Sequence, residues 1–272
     1  MPTTQRRICT GDQLLLSVLG PFQVVETSGG QVDLDLTRKA RVLLAVLIAQ
    51  RGRAITLEGL TSALWPVDPP KSARRNIQLY VHRLRSQLGA PLVRTHEEAY
   101  SFGPCDRVDA VHFQQLARSG AQELDSGDFA GACSTLRQAM DMWRGPAYAD
   151  FLDCESVELE AQRLERLRLG VCERWSAASL ELGRYREVAD ELDDLVRRHP
   201  VHEALVGHLM TALVGAGQPA AALEVYARTR SCLRHTLGAD PSSSLQQLHQ
   251  SILRNGRPVV AAPLGSDGRR SA

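Results

Sequence analysis

The segment Trp65-Pro66-Val67-Asp68-Pro69-Pro70-Lys71 restricts the possible folds more than any other part of the chain. Each proline fixes its φ and lacks an N–H, so this stretch can be neither a helix nor a central strand. It predicts a stiff, exposed loop. A helical pattern begins immediately after it. At roughly 100° per residue, Ala73, Ile77, Tyr80, Val81, Leu84 and Leu88 share one face, and Gly89 supplies a C-terminal stop. The opposite face carries Arg75, Gln78, Leu79, His82 and Ser86, flanked by Arg74, Asn76, Arg83 and Arg85. No acidic residue occurs from Ser72 to Leu88, whereas an ordinary solvated face mixes signs. Guanidinium groups suit guanine edges and phosphates, and amides suit adenine. The outer face therefore predicts a helix that reads the major groove of duplex DNA.

The flanking segments support this reading. Gln13–Val25 is a β-type run broken at Gly20-Pro21, Gly29-Gly30 marks a turn, and Val32–Leu36 alternates strictly. Together they predict a small antiparallel sheet. Thr37 is placed to cap a helix over Arg38–Gln50, and Thr56 a second over Leu57 to Leu64 or Trp65. After the basic helix, Val93-Arg94-Thr95 and Tyr100-Ser101-Phe102 predict two strands around a turn at His96–Ala99. Sheet, two helices, basic helix and hairpin, in that order, predict an α+β winged helix-turn-helix over residues 13–104. Arg75, Gln78, His82 and Arg83 are the expected base or near-base contacts, with Leu79 and Asn76 on the same surface. Arg74, Arg85, Arg94, Arg38 and Lys39 are the expected phosphate partners.

From Asp109 onward the pattern is helical. Gly183 is followed by Val188, Leu192 and Leu195, and Gly217 by Ala222, Tyr226 and Thr229, at the same offsets. Gly127 with Ala132, Leu136 and Ala139 forms an earlier copy. The spacing between Gly183 and Gly217 is the tetratricopeptide period. Residues 105–255 are thus expected to form an all-α repeat domain, including a long helix at about Glu155–Leu182. Charge divides similarly, with five net positive charges through Pro104 and six net negative ones from Cys105 to Asn255. Residues 1–12 and 256–272 have the composition of disordered ends. No apolar run is long enough for a membrane span, and the polar N-terminus does not resemble a secretory signal, so a cytoplasmic, nucleoid-associated protein is expected. The six cysteines form no C-x-x-C pair, and neither they nor His199, His202 and His208 suggest a metal site. Phosphate-loop, dinucleotide, nucleophile-elbow and metalloprotease motifs are absent, so neither an enzyme nor a cofactor is expected.

Residues 14–103 resemble the OmpR-type DNA-binding domain. The run from Leu60 through Trp65, Pro66 and Pro69-Pro70-Lys71-Ser72-Ala73-Arg74-Arg75-Asn76-Ile77-Gln78 to Gly89 resembles the Streptomyces antibiotic regulatory proteins. Leu19-Gly20-Pro21-Phe22, Asp109 and Phe113 fit the same pattern, and residues 105–255 resemble that family's bacterial transcriptional activator domain. The resemblance implies an activator of an antibiotic or other secondary-metabolite gene cluster. Such a protein would bind direct repeats near the −35 element as a homodimer or tandem dimer and recruit RNA polymerase through its sigma factor and other subunits. It further implies that Trp65, Pro66, Asp68, Pro69, Pro70 and Lys71 face polymerase. The wing departs from the family pattern, since Glu97-Glu98 replaces the usual glycines. Its DNA contacts are accordingly expected from Arg94 and Tyr100. Two other readings remain open at this point, a repeat adaptor that binds protein and a repressor built from the same parts.

Overall fold

The computed structural model describes residues 14–26, 30–89, 92–103 and 105–255. The disordered ends expected at 1–12 and 256–272 lie outside the described residues. Strands β1 (Leu14–Ser17) and β2 (Gln23–Glu26) form an antiparallel pair that aligns Leu14 with Glu26 and Ser17 with Gln23. The strand expected at Val32–Leu36 does not form, and among the described residues a single bridge between Val25 and Gln31 joins this region to β2. Its alternation has another cause. Leu34 and Leu36 turn inward and are buried without a ladder partner.

Helix α1 (Arg38–Ala49) begins at Thr37, whose hydroxyl accepts from the Ala40 amide. Every residue from Val42 to Ala49 is buried, so the second half of α1 forms the centre of this core. A two-residue strand β3 (Ile55–Thr56) leads into α2 (Leu57–Leu64), capped by the Thr56 hydroxyl on the Gly59 amide. Helix α3 (Ala73–Leu88) follows the proline loop, and β4 (Val93–Thr95) and β5 (Ala99–Phe102) form the hairpin. Sheet order is β3-β5-β4, with β5 central and antiparallel to both neighbours. The element order is that of a winged helix-turn-helix.

Among the described residues seven α-helices follow, namely α4 (Asp109–Asp125), α5 (Phe129–Asp141), α6 (Glu155–Glu181), α7 (Tyr185–Arg198), α8 (Glu203–Gly215), α9 (Pro219–Leu237) and α10 (Ser243–Asn255). Gly127, Gly183 and Gly217 sit in the turns before α5, α7 and α9, at φ of 82°, 70° and 82°. An L side chain would be strained there, which explains the recurrence of glycine at this period. The residues five, nine and twelve positions beyond each glycine are buried in all three copies.

The chain groups into two compact units. One contains the described residues up to Arg118 together with Gln138–Leu169, and the other contains Ser119–Arg137 and the chain from Gly170. The winged helix-turn-helix thus shares its unit with the start of α4, the end of α5 and the first half of α6. Within that unit, Asp109 accepts from the amides of Val18 and Leu19, and the Arg144 and Tyr148 amides donate to Leu19 and Val18. No helix among the described residues is long and apolar enough to cross a membrane.

Candidate nucleic-acid interface

Ala73, Ile77, Val81, Leu84 and Leu88 are buried and seat α3 against α1 and α2. This burial fixes what the other side presents. Arg74, Arg75, Gln78, Leu79, His82, Arg83 and Ser86 are all exposed. Leu79, at 46% exposure, is the one large apolar residue of that face. Arg75 and Arg83 take part in no ion pair among the described residues. Tyr80, expected within the core stripe, is half-buried. The side chain of Ser72 makes no cap, and its hydroxyl accepts from Asn76 Nδ2 at 3.2 Å.

The hairpin is held to α3 through β4 and to the start of α2 through its turn. Arg85 directs Nε and Nη2 to the Val93 carbonyl at 3.0 and 2.8 Å, and Nη2 to Thr95 Oγ1 at 2.6 Å. Its planar fork is thus occupied in positioning β4, and Arg85 is an internal anchor where a phosphate partner was expected. On the other strand side, the Leu57 amide donates to the Glu98 carbonyl at 2.9 Å, and the His96 amide to the Ala99 carbonyl at 2.8 Å. At the turn, Glu98 Oε1 accepts from Arg74 Nη2 at 2.8 Å. Arg94 is exposed on β4. Tyr100 is only 7% exposed, because β5 is the central strand and its side chains pack inward. The wing contact expected of Tyr100 is therefore not presented at the surface.

The cations at the start of α1 also have partners. Arg38 Nη2 lies 2.6 Å from Asp153 Oδ2, an exposed pair. Lys39 Nζ donates to the Leu64 carbonyl and lies 5.6 Å from the centre of the Trp65 ring. Lys39 thereby ties down the end of α2 and one face of Trp65, so it too serves the fold where a phosphate contact was expected. Beyond Trp65 the loop opens to solvent. Pro66, Asp68, Pro69 and Lys71 are exposed, Pro70 is half-buried, and its carbonyl accepts from the Ala73 amide that begins α3. Val67 is 93% exposed at the loop's centre. Val67 is the residue of this loop that the sequence reading left out of the surface expected to face polymerase.

Among the described residues, no group of three or more His, Cys, Asp or Glu is arranged to hold a metal ion. His208, one of the three nearby histidines, has its Nδ1 2.7 Å from Ser176 Oγ.

Comparison with known proteins matches two family models to successive parts of the chain. The family described as "Transcriptional regulatory protein, C terminal" matches residues 30–99, and "Bacterial transcriptional activator domain" matches residues 108–253. The regulatory protein DnrI of Streptomyces peucetius is 33% identical over 91% of this chain and 97% of its own length. The regulatory protein AfsR of Streptomyces griseus is also 33% identical, over 90% of this chain, but that match spans only 25% of the much longer AfsR. A solved structure of Mycobacterium tuberculosis EmbR, in complex with a low-affinity phosphopeptide, matches with a TM-score of 0.82 and 31% identity. That match covers 91% of this chain and 66% of the EmbR chain.

Proposed function

Because the chain belongs to the Streptomyces antibiotic regulatory protein family of transcriptional regulators, we infer that it activates a secondary-metabolite gene cluster, with α3 reading promoter DNA. The observation that carries this reading is the exposed row Arg75, Gln78, Leu79, His82 and Arg83 on a helix whose other side is locked into a core. A rigid helix that offers forked donors, an amide and one apolar contact matches the chemistry of major-groove edges. Arg75, Gln78, His82 and Arg83 are assigned to bases, with Arg94 on the wing and Asn76 beside them as backbone contacts. Direct repeats, bound by two copies of the chain in tandem, and a site near the −35 element are part of the same proposal.

The loop from Trp65 to Lys71 is assigned to polymerase. Val67, Pro66 and Pro69 stand exposed beside α3, and a stiff loop loses little conformational entropy on docking. Changes at Pro69 and Pro70 are expected to lower reporter activation while sparing DNA binding, and equal loss of both would remove this role. The test of the DNA reading is a mobility shift on the promoters neighbouring the gene. Arg75→Ala and Arg83→Ala are each expected to weaken specific binding by about 1–3 kcal/mol. If the double variant binds as the wild type does, the assignment of this face is wrong. If no duplex is retained even at low salt, the protein-binding adaptor becomes the better reading.

A further inference from the structure

We propose that Glu98 acts as an internal stand-in for a DNA phosphate, engaging Arg74 and so lowering the sequence-independent part of duplex affinity by one contact. The proposal rests on the reading of α3 and its wing as a duplex-DNA surface, and it adds a residue that tunes that surface.

The geometry gives Glu98 a defined position. Its carbonyl accepts from the Leu57 amide at 2.9 Å, and the next residue, Ala99, pairs with Thr56 in the β3–β5 ladder. The facing strand β4 is fixed to α3 by the three Arg85 hydrogen bonds. The wing tip is thus held from both strands, and the Glu98 carboxylate meets the Arg74 guanidinium at 2.8 Å because the backbone presents it there. Glu97, its exposed neighbour, makes no ion pair among the described residues. Arg74 lies in the first turn of α3, one residue before Arg75. A carboxylate offers a guanidinium the same charge-assisted oxygen acceptors as a phosphate does. While Glu98 holds Arg74, that cation is not available to the backbone of the duplex.

The pair is easily opened. Its side chains are 64% and 66% exposed, and exposed ion pairs are held weakly. A phosphate can replace Glu98, but the exchange changes the thermodynamics of binding. An unpaired arginine that meets a phosphate releases the counterion condensed there. If Arg74 leaves Glu98 to do so, the freed carboxylate stands beside the duplex and restores the negative charge that the phosphate lost, so the counterion is retained there. If Arg74 stays with Glu98, no counterion is released. In both cases Arg74 adds little to the salt dependence of wild-type binding. On a random-sequence duplex, where no base edge is specifically engaged, Arg75 and Arg83, with no such partner, are free to meet phosphates and add their full share.

The test uses the full-length chain, a short random-sequence duplex as probe, and fluorescence anisotropy over a range of salt concentrations. Glu98→Gln is expected to bind about two- to fivefold more tightly at low salt, the factor to which an exposed ion pair corresponds. Its log–log salt slope should be steeper by about 0.9, one phosphate's worth. Arg74→Ala alone should change little, and Arg74→Ala/Glu98→Gln should bind as Arg74→Ala does. Glu97→Gln should give a smaller gain than Glu98→Gln. The proposal is overturned if Glu98→Gln binds as the wild type does, if its gain survives in the Arg74→Ala background, or if Glu97→Gln gives an equal gain. The last two outcomes would identify general charge repulsion as the cause. They would leave the DNA reading intact, since the wild type would still bind the duplex. Absence of any wild-type binding would remove both readings.

Discussion

Replacing Asp109 by alanine tests how the winged helix-turn-helix is joined to the helices that share its compact unit. Asp109 is buried at the start of α4, with Oδ1 2.8 Å from the Val18 amide and Oδ2 3.2 Å from the Leu19 amide. The Arg144 guanidinium lies 3.7 Å away. Burial raises the Asp109 pKa above its usual 3.8, although the backbone amides and Arg144 pull it down. Alanine would strand two buried N–H groups, each costing about 1–3 kcal/mol, partly offset because no carboxylate then has to be desolvated. The expected loss is about 3 kcal/mol for Asp109→Ala. Asn offers one acceptor and turns its NH₂ toward the second amide, so Asp109→Asn should retain roughly half of the lost stability. The pH dependence has a definite sign. A carboxyl whose folded pKa is raised binds its proton more tightly in the native state. Wild-type stability relative to Asp109→Ala should therefore grow as pH falls through the folded pKa, and level off below 3.8. Urea unfolding gives the energies, and amide exchange at Val18 and Leu19 reports the bonds directly. A loss in Asp109→Ala smaller than about 0.5 kcal/mol, the range of surface substitutions, would refute the reasoning. So would unchanged amide protection.

Two further predictions concern the second unit. The His208 pKa is lowered to about 4, first by burial and then by the charge of His202. The unfolded chain takes up this proton near 6.5 and the folded one only near 4, so stability should fall as pH drops through that window. The fall should not exceed about 3 kcal/mol and should vanish in His208→Gln, as urea midpoints would show; a wild-type profile as flat as the variant's would count against it. Gly120 and Gly217 should respond to alanine for different reasons. A Cβ on Gly120 would sit 2.5 Å from Leu136 Cγ, whereas one on Gly217 would meet nothing within 4 Å. Gly120→Ala is expected to cost about 1–3 kcal/mol by overpacking, with partial rescue by Leu136→Ala. Gly217→Ala should cost about 1 kcal/mol through its left-handed backbone alone, with no rescue from any neighbour. Thermal unfolding separates the two cases, and a Gly120→Ala protein as stable as wild type would show that Leu136 yields freely.

The elements that could be read from the sequence are those whose signals are local. Thr37 and Thr56 cap because a hydroxyl needs only the amide three residues on. The repeat glycines are legible because a left-handed turn accepts little else. Val32–Leu36 misled because alternation reports which side chains turn inward, and Leu34 and Leu36 can do so without a partner strand. Strand β3 spans two residues, too few to show any period. For the candidate site the limit is a different one. The scarcity of acid along α3 counts only charges carried by that helix. The field at its surface also includes groups brought in from elsewhere. Asp153 reaches Arg38 across 115 positions of chain, Glu98 reaches Arg74 across 24, and the Val93 carbonyl occupies Arg85. The four arginines of α3 look alike in sequence, yet the fold gives them three different situations. Arg85 is an anchor, Arg74 is held by a carboxylate, and Arg75 and Arg83 face outward with no ion pair among the described residues. A basic face read from composition is therefore an upper bound on the cations offered to DNA. The salt slope of binding to a random-sequence duplex counts them, and it should register Arg75 and Arg83 fully and Arg74 only after Glu98 is neutralised.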